Sequence, residues 1–358
     1  METKSRKTNH LPKLAVHASI LALCSTTAVA DHPTLGLQQD AAGPVTTLTA
    51  IPLPAGVGVM GFESQYISNN AISDHDLAHF AEDGEQVHSV DSVDNLSLNA
   101  AYGVSDNLTL GLNLPWVSRR DIREGHHHHE DAEHHDVPVE GEIERLGESS
   151  GLGDLTVYGQ YRFLGANTSD LSASFLFGVK LPTGRTDVTT AEGDRFETDH
   201  QPGSGSLDLL SGIAVSRQWS NLSLDGNILY SFAGNGTQDS NLGDVFNYNI
   251  ALSRRFGHSA RSGHGSAHTH AAGRHSSWDA ALELNGEWRD RVRSAGQVQE
   301  HTGGNVVYLA SSVRYNGGKN WSAYASLGVP VIENLNGIQS DPKYRFFIGV
   351  SMAMGAEN

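Results

Sequence analysis

The stretch Leu222-Ser223-Leu224-Asp225-Gly226-Asn227-Ile228-Leu229-Tyr230-Ser231-Phe232 alternates with a period of two. Leu222, Leu224, Gly226, Ile228, Tyr230 and Phe232 fall on one face, and Ser223, Asp225, Asn227 and Ser231 on the other. Successive side chains of a strand point to opposite sides, so this is a strand with one greasy and one wet face. The pattern recurs as Leu108, Leu110, Leu112, Leu114 and Trp116, as Phe246, Tyr248, Ile250 and Leu252, and as Trp278, Ala280, Leu282, Leu284 and Trp288. These apolar faces are nearly free of charge.

Working outward, the alternation predicts strands at 55–67, 93–104, 107–118, 153–164, 170–181, 205–218, 221–233, 243–256, 278–290, 304–316, 320–331 and 343–354. In the first of these, Glu63 and Gln65 interrupt whichever face is taken as apolar. Strands of a β-sandwich average five or six residues, whereas these have the length needed to cross a bilayer at a tilt. The links support the same reading. Ser105-Asp106, Gly165 to Ser169, Trp219-Ser220 and Gly317 to Lys319 are short, and the intervening links are mostly long. Short periplasmic turns alternating with longer outer loops characterise transmembrane barrels. The expected fold is all-β: a transmembrane antiparallel up-and-down β-barrel of about twelve strands.

The first thirty residues carry Lys4, Arg6, Lys7 and Lys13, an apolar run from Leu14 to Leu23, and the triplet Ala28-Val29-Ala30. That is a basic region, an apolar region too short to span a membrane, and a small-residue cleavage site. The expected organisation is a signal peptide over 1–30, a periplasmic N-terminal segment over 31–54, and a barrel over 55–358 with His-rich loops at 119–150 and 257–277. Cys24, the only cysteine, lies in the signal peptide, so disulfides and thiolate metal sites are excluded from the mature chain. Removing four of 24 basic and one of 41 acidic residues leaves 20 against 40, a net charge of −20 that argues against nucleic acid as a partner. The expected location is the outer membrane of a Gram-negative bacterium, and the expected partners are its lipids, the barrel-assembly machinery and a small solute or metal ion. The oligomeric state is not legible.

Gly151-Leu152-Gly153-Asp154-Leu155, Tyr161-Arg162-Phe163, Leu181-Pro182-Thr183-Gly184, and Gly203-Ser204-Gly205-Ser206 with Asp208 together resemble one group of proteins. These are the outer-membrane transporter-like barrels of the meta-pathway of phenol degradation. The resemblance implies a pore-like barrel, in some cases encoded near hydrocarbon degradation.

Of the 19 histidines, His10 and His17 leave with the signal peptide. Most of the others fall in three predicted loops: His75, His79 and His88; His126, His127, His128, His129, His134 and His135; and His258, His264, His268, His270 and His275. Imidazole with adjacent carboxylate suits zinc, copper or nickel, so these are candidate metal ligands, although His-rich loops are also ordinary solvated loops. Protonation of the same clusters is a second way in which they could act on a pore. No cofactor is required by anything in the sequence. The predicted inward face carries Asp208, Asp225, Arg255, Asp279, Glu283 and Glu287, which line either a cation-favouring pore or, paired across strands, a plugged barrel. No Gly-x-Ser-x-Gly, phosphate-binding Gly-Lys or His-Glu-x-x-His motif occurs, so an enzyme is not expected. The leading expectation is a small-solute channel with metal-binding loops. The alternatives are a channel for hydrophobic or aromatic compounds, and a closed barrel acting through its loops.

Overall fold

The computed structural model describes residues 43–127, 141–165, 170–257, 276–317 and 320–355. The expected signal peptide and residues 31–42 lie outside these. The elements in chain order are β1 (Val57–Asn70), α1 (Asp74–Glu82), β2 (Val87–Ser89), β3 (Ser92–Ser105), β4 (Leu108–His127), β5 (Gly141–Leu152), β6 (Thr156–Leu164) and β7 (Leu171–Lys180). There follow β8 (Asp208–Trp219), β9 (Leu222–Phe232), β10 (Ser240–Asn241), β11 (Val245–Gly257), β12 (Ser277–Arg289), β13 (Arg293–Ser294), β14 (Gln297–Val298), β15 (Gly304–Gly317), β16 (Trp321–Leu335) and β17 (Asp341–Gly355).

Each long strand pairs antiparallel with its neighbours in sequence, and β1 pairs with both β3 and β17, which closes the sheet into a barrel. β5 and β6 share one place in the wall: β5 pairs with the outer part of β4 from Trp116 to His127, and β6 with the inner part from Leu108 to Asn113. Counting them once, and setting aside β2 and the small β10–β13–β14 sheet, the wall has twelve strands, as the alternation predicts.

Alternation decides which way each side chain points. In β12, Leu282 and Leu284 on the outside are 53% and 43% exposed, while Glu283 between them is 1% exposed. An outer surface of Leu, Ile, Val and Phe left bare is costly in water and is the surface that lipid covers. No described helix is long and apolar enough to cross a membrane, so crossing falls to the strands. The difficulty in β1 resolves the same way: Glu63 and Gln65 both face inward, and Met60, Phe62 and Tyr66 face out. Glu63 accepts a hydrogen bond from the Tyr324 hydroxyl at 2.8 Å.

Three expected features differ. The 119–150 stretch is not simply a loop: β4 continues to His127 and pairs with β5 as a ribbon. Beyond the bilayer both faces of a ribbon can be wet, so the alternation that marks a lipid-facing strand is absent there. The link after β1 contains a helix, α1, capped by the Ser73 hydroxyl, which accepts from the Asp76 N–H at 3.1 Å. Its Leu77 packs with Ile72 and Val87, and with Ile143 of β5. Finally, residues 43–54, expected in the periplasm, enter the barrel and line part of its interior, as described next.

Candidate functional site

Residues 43–56 form a strap along the inner wall. Pro52 and Pro44 bracket a Thr-rich run with no neighbouring strand, so its backbone donors turn to inward side chains. From the β1 end, the Ala55 N–H donates to Asp106, that of Leu53 to Thr109, and that of Ala50 to Ser216; the Leu48 N–H donates to Asn227. Gln160 and Ser174 donate to the carbonyls of Thr49 and Ala50. Ala50 and Leu48 also pack on Leu176, Ala214, Leu229 and Leu210. At the far end Glu283 receives the N–H groups of Val45 (2.9 Å), Thr46 (3.0 Å) and Thr47 (2.8 Å) and both threonine hydroxyls, and Arg314 donates to the Pro44 carbonyl at 2.6 Å. The strap thus crosses the interior from β4 to β15.

The sequence-predicted lumen residues take inward positions around it. Asp225 accepts from Ser216 and Ser223. Arg255 and Asp279 form a buried bidentate pair at 2.7 and 2.8 Å. Asp208 lies 2.5 Å from Lys180, and Glu287 3.2 Å from Arg289. Pairing of this kind leaves few free carboxylates to select ions, and the strap lies along the same inward face.

Above the strap, residues 181–207 between β7 and β8 fold back into the mouth. Val188 and Phe196 from this segment pack against inward-facing Ile67, Val93 and Val117, with Val90 and Ile122. Asp154 anchors the segment, taking the Gly184 N–H on one carboxylate oxygen and the Ser204 N–H and hydroxyl on the other, at 2.8, 2.8 and 2.7 Å. Gly184 and Gly203 touch so closely that a Cβ on Gly203 would meet the Gly184 Cα at 2.6 Å. Three of the separated motifs that carry the family resemblance therefore meet at one point, where the wall breaks between β5 and β6, while Tyr161-Arg162-Phe163 lies at the opposite end of β6, with Arg162 bonded to Asp106 and Asn107. Asp154→Ala strands two backbone donors and is expected to cost about 2–4 kcal/mol, since each unpaired buried donor costs about 1–3 kcal/mol. Thermal unfolding followed by the electrophoretic mobility of the folded barrel, together with protease cleavage within 185–201, checks this.

Beside β15–β17 the inner wall mixes aromatic and polar groups: Tyr308, Tyr324 and Phe347 face inward together with Ser312, Ser322, Ser326 and Ser351. Arg345 lies over the Tyr308 ring at 4.0 Å and near Phe347 at 5.4 Å, and Arg314 is 5.6 Å from the Tyr324 ring. The ladder between β16 and β17 ends here, at Gly328↔Arg345. Beyond it a bulge at Val331 turns β16 away, so that Val307 pairs with Ile332 and Tyr308 with Pro330. Val331 and Ile332, which the bulge turns to the same outer side, are both about half exposed (50% and 53%).

Among the described residues, the predicted histidine ligands do not gather as one site. His75 and His79 lie exposed on α1, next to Asp76 and Glu82. His126 is 4.0 Å from Glu144 on the β4–β5 ribbon. His127 ends β4, while His128, His129, His134, His135, His258, His264, His268, His270 and His275 lie outside the described residues. Among the described residues, His88 alone of these meets another histidine, His200, which the sequence did not single out; their rings are 4.8 Å apart edge to face. Burial works against the charge on His88, but the Glu124 carboxylate 3.2 Å away, with Glu197 and Asp199, overcomes this and raises it to about 9. Burial dominates at His200 and lowers it to about 4.

The family profile described as putative MetA-pathway of phenol degradation matches residues 87–333. No curated protein matches the sequence. Among solved structures, an outer membrane channel from Pseudomonas putida F1 is similar at 15% identity over 85% of this chain and 98% of that one, with a TM-score of 0.53. The CymD monoaromatic hydrocarbon channel (10% identity; 86% and 90% covered) and the Ralstonia pickettii toluene transporter TbuX (10%; 85% and 90%) overlay more loosely, at TM-scores of 0.38 and 0.39.

Proposed function

The chain belongs to the family described as the putative MetA-pathway of phenol degradation, and on that premise we propose that it is an outer-membrane channel for small hydrophobic compounds, aromatics among them. The carrying observation is the place where the β16–β17 ladder ends. There the backbone rungs between β16 and β17 stop beside the inward Tyr308 and Phe347, below an apolar mouth lined by Val93, Val117 and Phe196, and among the described residues only a side-chain hydrogen bond between Glu333 and Asp341 joins the two strands farther out. Apolar walls with a few placed polar groups suit a neutral aromatic ring, and the faces of Arg345 and Tyr308 suit one bearing a hydroxyl. The strap and the paired charges obstruct the straight route below, so the solute leaves sideways, through the seam and into the membrane.

The small-solute reading with metal-collecting loops has less support, because the lumen residues that would conduct a hydrated ion are bonded to the strap or to each other. Apolar aromatics cross a plain phospholipid bilayer unaided, so the test uses outer-membrane vesicles that retain lipopolysaccharide. Vesicles carrying the barrel are expected to take up phenol and toluene at least several-fold faster than vesicles lacking it, with no gain for a sugar of similar size. Equal rates for aromatic and sugar would overturn the reading.

A further inference from the structure

A second site stands in the mouth, independent of the seam. We propose that His88, Glu197 and His200 form a binding site for one divalent transition-metal ion of the zinc, nickel or copper class, which ties the 181–207 segment to the barrel wall. One ring nitrogen of each histidine and a Glu197 oxygen all lie within 4.8 Å of one another. His88 comes from β2, held on the wall by its pairing with β4, whereas Glu197 and His200 come from the segment tucked into the mouth.

The second, independent observation is His200 itself. It is 1% exposed, yet neither ring nitrogen has a hydrogen-bond partner, and its nearest carboxylate contact is Asp199 at 3.3 Å from Nδ1. Buried polar atoms are nearly always satisfied, and an imidazole nitrogen left bare in the interior is destabilising. A cation accepting that lone pair removes the cost. Two imidazoles and a carboxylate are a donor set for zinc, nickel or copper(II) rather than for calcium or magnesium.

Adjacent ligands about a tetrahedral zinc stand about 3.3 Å apart, so the three groups must close by about 1–1.5 Å on binding. Glu197 is exposed and 4.0 Å from His88 Nε2, so its side chain has room to make that move. Glu124, 3.2 Å from His88 Nε2, either orients the ring or completes the shell. Glu124, Glu197 and Asp199 surround the imidazoles, with Arg119 as the nearby cation, so the local charge favours a divalent ion. Residues 197 to 200 adjoin the Gln201–Val188 and Gln201–Phe196 hydrogen bonds that shape the segment, so an ion here stiffens the cover of the mouth.

The His-rich stretches would mask this site in a simple titration. The test therefore uses the full mature chain with His→Ser at 127, 128, 129, 134, 135, 258, 264, 268, 270 and 275, titrated with cobalt(II) and read by visible d–d absorption and by calorimetry. One equivalent with the intense band of a four-coordinate nitrogen and oxygen site is expected. His200→Ala should abolish the band and weaken binding on the order of 100-fold. Glu197→Gln, at an exposed position, should weaken it about tenfold while leaving the folded mobility of the barrel unchanged. No bound cobalt in the stripped chain, or binding that ignores both substitutions, overturns the proposal.

Discussion

Replacing Glu283 with alanine is expected to release the strap and turn an obstructed barrel into an ion-conducting one. Glu283 is the common acceptor for five strap donors, the three N–H groups and two hydroxyls of Val45 to Thr47, and also receives the Ser312 hydroxyl at 2.6 Å. Ordering about ten residues costs about 10–20 kcal/mol in backbone entropy, so the strap stays in place only while its contacts are kept. Removing one partner of a buried charged network costs about 3–5 kcal/mol, which shifts the ratio of docked to released strap by about 10²–10³. The anchors that remain, among them Asn227, Ser216, Thr109, Gln160, Ser174 and Arg314, are each a single hydrogen bond to the strap backbone, and none gathers several donors as Glu283 does.

Planar-bilayer recording should show conductance several-fold above the parent for Glu283→Ala, and a similar rise on deleting residues 43–53. Glu283→Gln, which keeps the shape but halves the acceptors, should fall between. A conductance unchanged in all three would mean that the strap does not obstruct the ion path. The opened pore should also favour cations, because Asp225 loses its neighbour's cover; Asn285, which also receives Thr46 and Arg345, remains neutral.

That strap was not legible in the sequence, and the reason is physical. Leu222–Phe232 announces itself because lipid on one side and a wet interior on the other impose a period of two, and β9 has those bounds in the structure. Pro44 to Leu53 faces no lipid; its partners are side chains spread from Asp106 to Arg314, and nothing local records them. The β4–β5 ribbon escaped notice for a related reason, since Ile143 and Leu146 find apolar partners in α1 and in the mouth rather than in a bilayer. The glycine motifs could be recognised as punctuation, but their meeting around Asp154 depends on a 30-residue return of the chain. His88 was legible as a ligand type. His200 was not, because a lone histidine in a polar stretch carries no pattern until the fold brings it to His88.

The seam itself yields the sharpest test of the lateral route. The last rung between β16 and β17 is Gly328↔Arg345, so the next rung would join Val329 to Tyr344. Val329 is 45% exposed on the outer side, and Tyr344 shares that side, its ring centroid 6.1 Å from that of Tyr66 and tilted by 50°. The sequence has one cysteine, Cys24, within the expected signal peptide, so a Val329→Cys/Tyr344→Cys pair has no competing thiol in the mature chain. A disulfide requires Cα atoms about 4.4–6.8 Å apart, the spacing of a closed antiparallel rung, so oxidation draws the strands together by one register step. Oxidised vesicles are expected to lose at least nine-tenths of their added aromatic uptake and to regain it on reduction, while the ion conductance opened by Glu283→Ala in the same background stays as it was. The two readouts separate two routes: a disulfide that stops aromatics but not ions places the hydrophobic exit in the wall, and one that stops neither places it elsewhere. If it stops both, ions and aromatics share a single path, and closing the seam closes it.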